Sequence, residues 1–168
     1  MSVDLHTRHE PPLVGQLAEL KVAITEELYA SLAEVGYADL RPAHGCVFGF
    51  LRDGGDRLTA LADRSRLTKQ AVGEAVADLE QLGYVERVPD PSDRRAKIIR
   101  LTDKGTQAMA AAAEIFADIE RRLAGEVGED RFDEFRETLR RLYLFTRRGR
   151  PPTFFSAGVR STPGRPRG

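Results

Sequence analysis

With 168 residues, 41% hydrophobic and 31% charged, the chain is long enough for one domain with a real core, too short for two large ones, and too apolar for a disordered polymer. Its 26 Lys and Arg balance its 26 Asp and Glu, which excludes a global positive field, so any affinity for nucleic acid has to come from local charge placement. The single Cys46 excludes an intramolecular disulfide framework, no apolar run approaches the roughly 20 residues that cross a bilayer, and the start lacks a secretory leader, so a cytoplasmic protein without membrane contact is expected.

Residues 1–11 are polar and aperiodic and read as a flexible arm. From Pro12 onward Leu13, Leu17, Leu20, Ile24, Leu28, Leu32 and Val35 recur every three or four positions, the stripe of a long helix that stops at Gly36. A second helix opens at Arg41-Pro42, with proline in the first turn, and runs through Cys46, Phe48 and Leu51 to Gly54-Gly55. Thr59 is placed to cap a short helical segment. Thr68 is placed to cap a longer helix, 68–83, whose buried stripe is Val72, Val76, Leu79 and Leu82. Two capped helices this close together form a helix-turn-helix candidate.

After Gly83 the period becomes extended, in Tyr84-Val-Glu-Arg-Val and Lys97-Ile-Ile-Arg-Leu, two strands around a long charged loop, 89–96. Thr102 caps the next helix, which carries Met109, Ala113, Phe116, Ile119 and Leu123 until Gly125 and Gly128 break it. A last helix, about 129–147, shows Phe132, Phe135, Leu139 and Leu142 at heptad-like spacing. Residues 148–168 are rich in arginine and proline, have no acidic residue, and read as a basic disordered tail. The fold class is mainly α with a small β-hairpin: a winged helix-turn-helix with helices at both ends of the chain.

The burial stripe of helix 68–83 leaves Thr68, Lys69, Gln70, Gly73 and Glu74 on or near its exposed N-terminal side. The helix dipole and free N–H groups there favour phosphate, Gln70 can bond an adenine edge in pairs, Lys69 can reach guanine or backbone, and Gly73 gives room for close approach. In the hairpin, Arg94 and Arg95 have few apolar neighbours and suit a narrow minor groove, with Asp93 as orienting partner, while Lys97 and Arg100 suit phosphates.

Three runs carry a family resemblance: Leu79-Glu-Gln-Leu-Gly-Tyr-Val-Glu-Arg, then Asp90-Pro-Ser-Asp-Arg-Arg, then Leu101-Thr-Asp-Lys-Gly. In order and spacing they resemble the MarR (multiple antibiotic resistance regulator) family of bacterial repressors. The resemblance implies a domain over 12–147, with dimerisation helices at 12–36 and 103–147 around a winged helix-turn-helix at 40–102. It also implies that Arg95 is the minor-groove probe. Where it leads one to expect basic or neutral residues, the chain has Glu74 and Asp78, so the wing has to carry more of the DNA affinity.

The apolar stripes of the terminal helices need a cover, and a second copy would also set two recognition helices about one DNA turn apart on a palindromic site. The resemblance further implies a crevice for a small aromatic or phenolic ligand, lined by Tyr29, Tyr37, His44, Phe48, Met109 and Phe116. No cofactor, metal or catalytic residue is expected. His6-Thr-Arg-His9 has metal-like spacing but no accompanying ligands, Cys46 reads as a small buried hydrophobe, and no nucleophile is paired with a base. The reading is therefore a ligand-responsive, DNA-binding repressor, homodimeric and not an enzyme. A winged helix that binds another protein and has no specific DNA site is the alternative.

Overall fold

The computed structural model describes residues 11–146, Arg94 by its backbone alone; the arm with His6 and His9, and the tail from residue 147, lie outside the described residues. Helix α1 (Leu13–Glu34) meets the core only through its second half: Leu28 and Leu32 are buried, while Leu13, Leu17 and Leu20 stand exposed. A 3-10 turn, Pro42–His44, leads into one turn of helix, α2 (Gly45–Phe48). The helix that the sequence carries on to Gly54 ends early. Glycine at 45 and 49 favours it weakly, and the chain is drawn away to the sheet, where Asp56 and Ile99 exchange two backbone hydrogen bonds of 2.9 and 2.8 Å. Gly55 makes this approach possible: at φ +96°, a Cβ there would lie 2.6 Å from the Ile99 carbonyl oxygen.

Helix α3 (Leu58–Ser65) begins one residue before Thr59, so the cap position falls to Arg57, whose side chain makes no capping bond. It ends at Arg66, a non-glycine residue in the left-handed region (φ 59°, ψ 29°) that turns the chain into α4 (Lys69–Gln81). Thr68 caps α4 as its sequence position indicates, its hydroxyl accepting the Ala71 N–H at 3.1 Å.

Strands β1 (Val85–Asp90) and β2 (Asp93–Leu101) pair antiparallel, Val85 opposite Leu101 and Pro89 opposite Lys97. The long loop expected at 89–96 is thus mostly strand, turning through Pro91 and Ser92. Between Pro89 and Asp90 the partner jumps from Lys97 to Asp93, which leaves Arg94, Arg95 and Ala96 as a bulge. Proline offers no N–H to a ladder, so a break beside Pro89 loses little.

Helix α5 (Asp103–Val127) is capped by Thr102, which accepts the Gly105 N–H at 3.1 Å. It continues through Gly125, which does not break it, and stops at Gly128. Helix α6 (Glu129–Thr146) follows, with Glu129 and Asp130 in its first turn, where the helix dipole favours negative charge.

The core lies between α1, α4, the hairpin and the start of α5, and Val47, Leu61, Val72, Val76, Leu79 and Tyr84 are fully buried in it. Burying each such aliphatic side chain contributes roughly 1.5–3 kcal/mol. No residue of α6 is buried.

Candidate nucleic-acid interface

Helix α4 commits Val72, Ala75, Val76 and Leu79 to the core, and that commitment orients the rest of its surface. Thr68, Lys69 and Gln70 are exposed at its capped N-terminal end, with backbone N–H groups of the first turn beside them. The Gln70 amide donates to Glu74 at 3.1 Å, so the one acidic group on this surface is engaged with a candidate reader.

The surroundings of two further residues of the helix bear on its role. Gly73 is half-buried beside α3: a Cβ there would meet Leu58 at 3.8 Å, an ordinary contact, so packing alone does not require glycine at this position. Asp78 does not lie free on the outer face. It accepts from His44 at 2.8 Å and pairs with Arg41, and these bonds, the His44 one foremost, hold its carboxyl below the usual carboxylate range. His44 is 1% exposed, and its Nδ1 accepts the Arg41 N–H at 3.1 Å, so the ring proton sits on Nε2 and is donated to Asp78. The negative charge that seemed to weaken the helix instead anchors it to the 3-10 turn.

The hairpin tip is built from its acidic residues. Asp90 accepts both the N–H (2.8 Å) and the hydroxyl (2.6 Å) of Ser92 and pairs with Arg57 at 2.6 Å. Hydrogen bonding from Ser92, and then Arg57, pushes the Asp90 carboxyl down to about 2. Asp93 accepts the Arg95 N–H at 3.1 Å and lies 3.6 Å from Arg57. Asp93 therefore sets the backbone of Arg95, while the charge facing it is Arg57, a residue the sequence alone does not single out. Through this arginine the tip is tied to the start of α3. Arg95 and Lys97 are exposed, with no ion pair among the described residues. Arg100 is paired with Glu86 at 2.7 Å, so its phosphate reading now competes with a strand partner.

The last of the three sequence runs has a structural account. The Thr102 N–H donates to the Tyr84 carbonyl at 3.0 Å and its hydroxyl donates to the Gly83 carbonyl at 2.7 Å. Lys104 donates to the Leu82 carbonyl at 2.9 Å and lies 4.0 Å from the centre of the Tyr84 ring. A Cβ on Gly105 would stand 2.1 Å from the Tyr84 carbonyl oxygen. Tyr84, wholly buried, donates its hydroxyl to Asp39, and burial followed by that bond raises its pKa. Leu-Thr-Asp-Lys-Gly is thus the joint between hairpin and α5.

Of the residues read as a ligand crevice, Tyr29, Phe48, Met109 and Phe116 line one cavity of about 320 Å³ between α1, α2 and α5. Tyr37 does not line it but packs on Tyr84, ring centres 6.2 Å apart, and His44 is used by α4. Burial pushes the Cys46 thiol up, and its Sγ donates to the Ala43 carbonyl at 3.1 Å, as suits an inert side chain. Among the described residues no cluster could hold a metal ion, and no helix is long and apolar enough to cross a membrane.

A family profile described as MarR family matches residues 38–96. The transcriptional regulator HosA of Escherichia coli O111:H- is 29% identical over 83 residues, 49% of this chain and 62% of its own length, so the chain spans about three fifths of this relative. The solved structure of MarR is 25% identical, covers 82% of this chain and 98% of its own, and has a TM-score of 0.69. The transcriptional repressor CouR, solved on a 23-mer DNA duplex, is 27% identical with a TM-score of 0.62, over 78% of this chain and 92% of its own. HosA and CouR are named as a transcription regulator and a repressor and not as enzymes, as the absence of a legible catalytic constellation leads one to expect. With its helices, its hairpin and the joint between them all in place, the chain is similar in fold to winged helix-turn-helix regulators such as MarR, and its residues 38–96 match the MarR family profile.

Proposed function

We propose that the chain is a cytoplasmic, sequence-specific DNA-binding repressor that acts as a homodimer on a palindromic operator and releases it when a small ligand binds. The observation that carries this reading is the pairing of an unobstructed helix end with a braced hairpin. Thr68, Lys69 and Gln70 are open at the end of α4, and Arg57 holds the tip from which Arg95 projects. In this reading α4 enters the major groove, Lys69 and Gln70 contact base edges, Arg94 and Arg95 enter the minor groove, and Lys97 contacts phosphate. Bracing lowers the ordering cost that a free loop would incur on binding.

The dimer is supported by the uncovered apolar surface of α1 and α6, where Leu17, Leu20, Phe135, Leu139 and Leu142 stand exposed. The ligand site is the cavity between α1, α2 and α5. CouR, the relative solved on DNA, supports the choice of nucleic acid over a protein partner.

Selection of genomic fragments by the purified chain, followed by a mobility shift against excess bulk DNA, tests the central claim. A shifted band that survives the competitor is the expected result. The absence of any fragment preferred over bulk DNA would leave only the protein-binding alternative.

A further inference from the structure

The cavity between α1, α2 and α5 has a wall of unusual chemical simplicity. Leu28, Leu32, Phe48, Met109 and Phe116 supply its apolar surface, and Gly45, Gly49, Ala108, Ala112 and Ala113 keep it open. None of its lining residues is Arg, Lys, His, Asp or Glu. Its one polar side chain is Tyr29, whose hydroxyl sits over Gly45, 3.6 Å from where a Cβ on that glycine would be. Among the described residues this hydroxyl has no hydrogen-bond partner. Burial raises its pKa, so it stays protonated and remains a donor at neutral pH.

These features constrain an occupant. An anion moved from water into such a space loses its hydration and finds no cation, a cost that an uncharged molecule of the same shape avoids. An unpaired donor on an apolar wall favours a guest with an acceptor at that point. A volume of about 320 Å³ lies at the small end of ligand sites and suits a one-ring compound.

Resting on the reading of this cavity as the ligand site, we infer that it takes an uncharged aromatic carrying one hydrogen-bond acceptor, such as an ester or ketone, and discriminates against the aromatic carboxylate of equal shape. Tyr29 is its specificity-determining residue, donating to the acceptor, and the glycines and alanines set the size limit.

The chain has two methionines, and Met109 lines the cavity, so labelled methionine methyl groups give a reporter of only two signals, which a Met1→Ala variant assigns. Full-length protein at pH 7 is titrated with methyl benzoate, benzoate and isopropylbenzene. The inference expects the Met109 signal to move with methyl benzoate at a Kd about tenfold or more below that for benzoate. Tyr29→Phe should weaken methyl benzoate about fivefold and leave isopropylbenzene unchanged, because only the former accepts a hydrogen bond. Ala113→Leu, which fills space from α5, should abolish all Met109 shifts while the circular dichroism of the chain is retained. Benzoate binding as tightly as the ester, or a Tyr29→Phe substitution that changes the affinities for ester and hydrocarbon by the same factor, overturns the selectivity and leaves the cavity standing as a ligand site. No Met109 response to any probe overturns the ligand-site reading itself.

Discussion

Gly105 is held to glycine by a single carbonyl oxygen, that of Tyr84, which stands where its Cβ would be. Gly105→Ala should force the hairpin and α5 apart and lower stability by about 3 kcal/mol, seen as a shift in the urea midpoint. Gly125, inside the same helix, has open space within 4 Å of where its Cβ would be, and Gly125→Ala should raise stability by about 0.5–1 kcal/mol through helix propensity alone. The contrast separates a glycine set by packing from one that is not. At the proposed DNA surface, Arg95→Ala should weaken operator binding more than Lys69→Ala. It should also flatten the salt dependence of binding, since a guanidinium deep between phosphates releases counterions. Affinity and salt slope both unchanged in Arg95→Ala would remove the wing from the proposed interface.

Among the elements, α4 and α5 follow from local rules: a capping threonine, a 3.6-residue stripe and a terminating glycine determine them with little help from the rest of the chain. The start of α3 does not follow, because Arg57 leaves no capping signature and is placed by two aspartates more than thirty residues away. The hairpin tip reads as loop for a related reason. Pro89, Pro91 and Ser92 are turn residues, yet the aspartates accept backbone N–H groups and allow the strands to continue almost to the turn. The inward use of Asp78 is likewise invisible without the 3-10 turn that brings His44 to it.

The tip also has a pH signature. Asp90 titrates near 2 in the fold against an ordinary 3.8, so its contribution is fully present above about pH 4 and disappears as pH falls through about 2. Amide exchange at Ser92, corrected for its intrinsic pH dependence, should be flat above pH 5 and accelerate below pH 4. Acceleration between pH 6 and 7 would point to another group.

For the whole molecule, most of the exposed large apolar residues lie on α1 and along α6, which together line a groove of about 870 Å³ whose wall includes Leu17, Leu20, Leu123, Phe135 and Leu139. Sedimentation equilibrium at micromolar concentration should give twice the 18.7 kDa chain mass. Leu139→Glu should halve that mass and with it abolish tight operator binding, while α3 and α4 keep their hydrogen-exchange protection. A Leu139→Glu protein that remains dimeric would move the interface elsewhere.

The uninterrupted course of α5 has a geometric consequence. Its 25 residues make a rod of roughly 37 Å, joined rigidly to the hairpin at one end and packed against α6 near the other. A tilt of only about 5° about the α6 end swings the hairpin end by about 3 Å, close to the rise of DNA along its axis per base pair. A small change of angle where α1, α2 and α5 meet is therefore enough to shift the reading head out of register by one nucleotide, with no segment having to unfold.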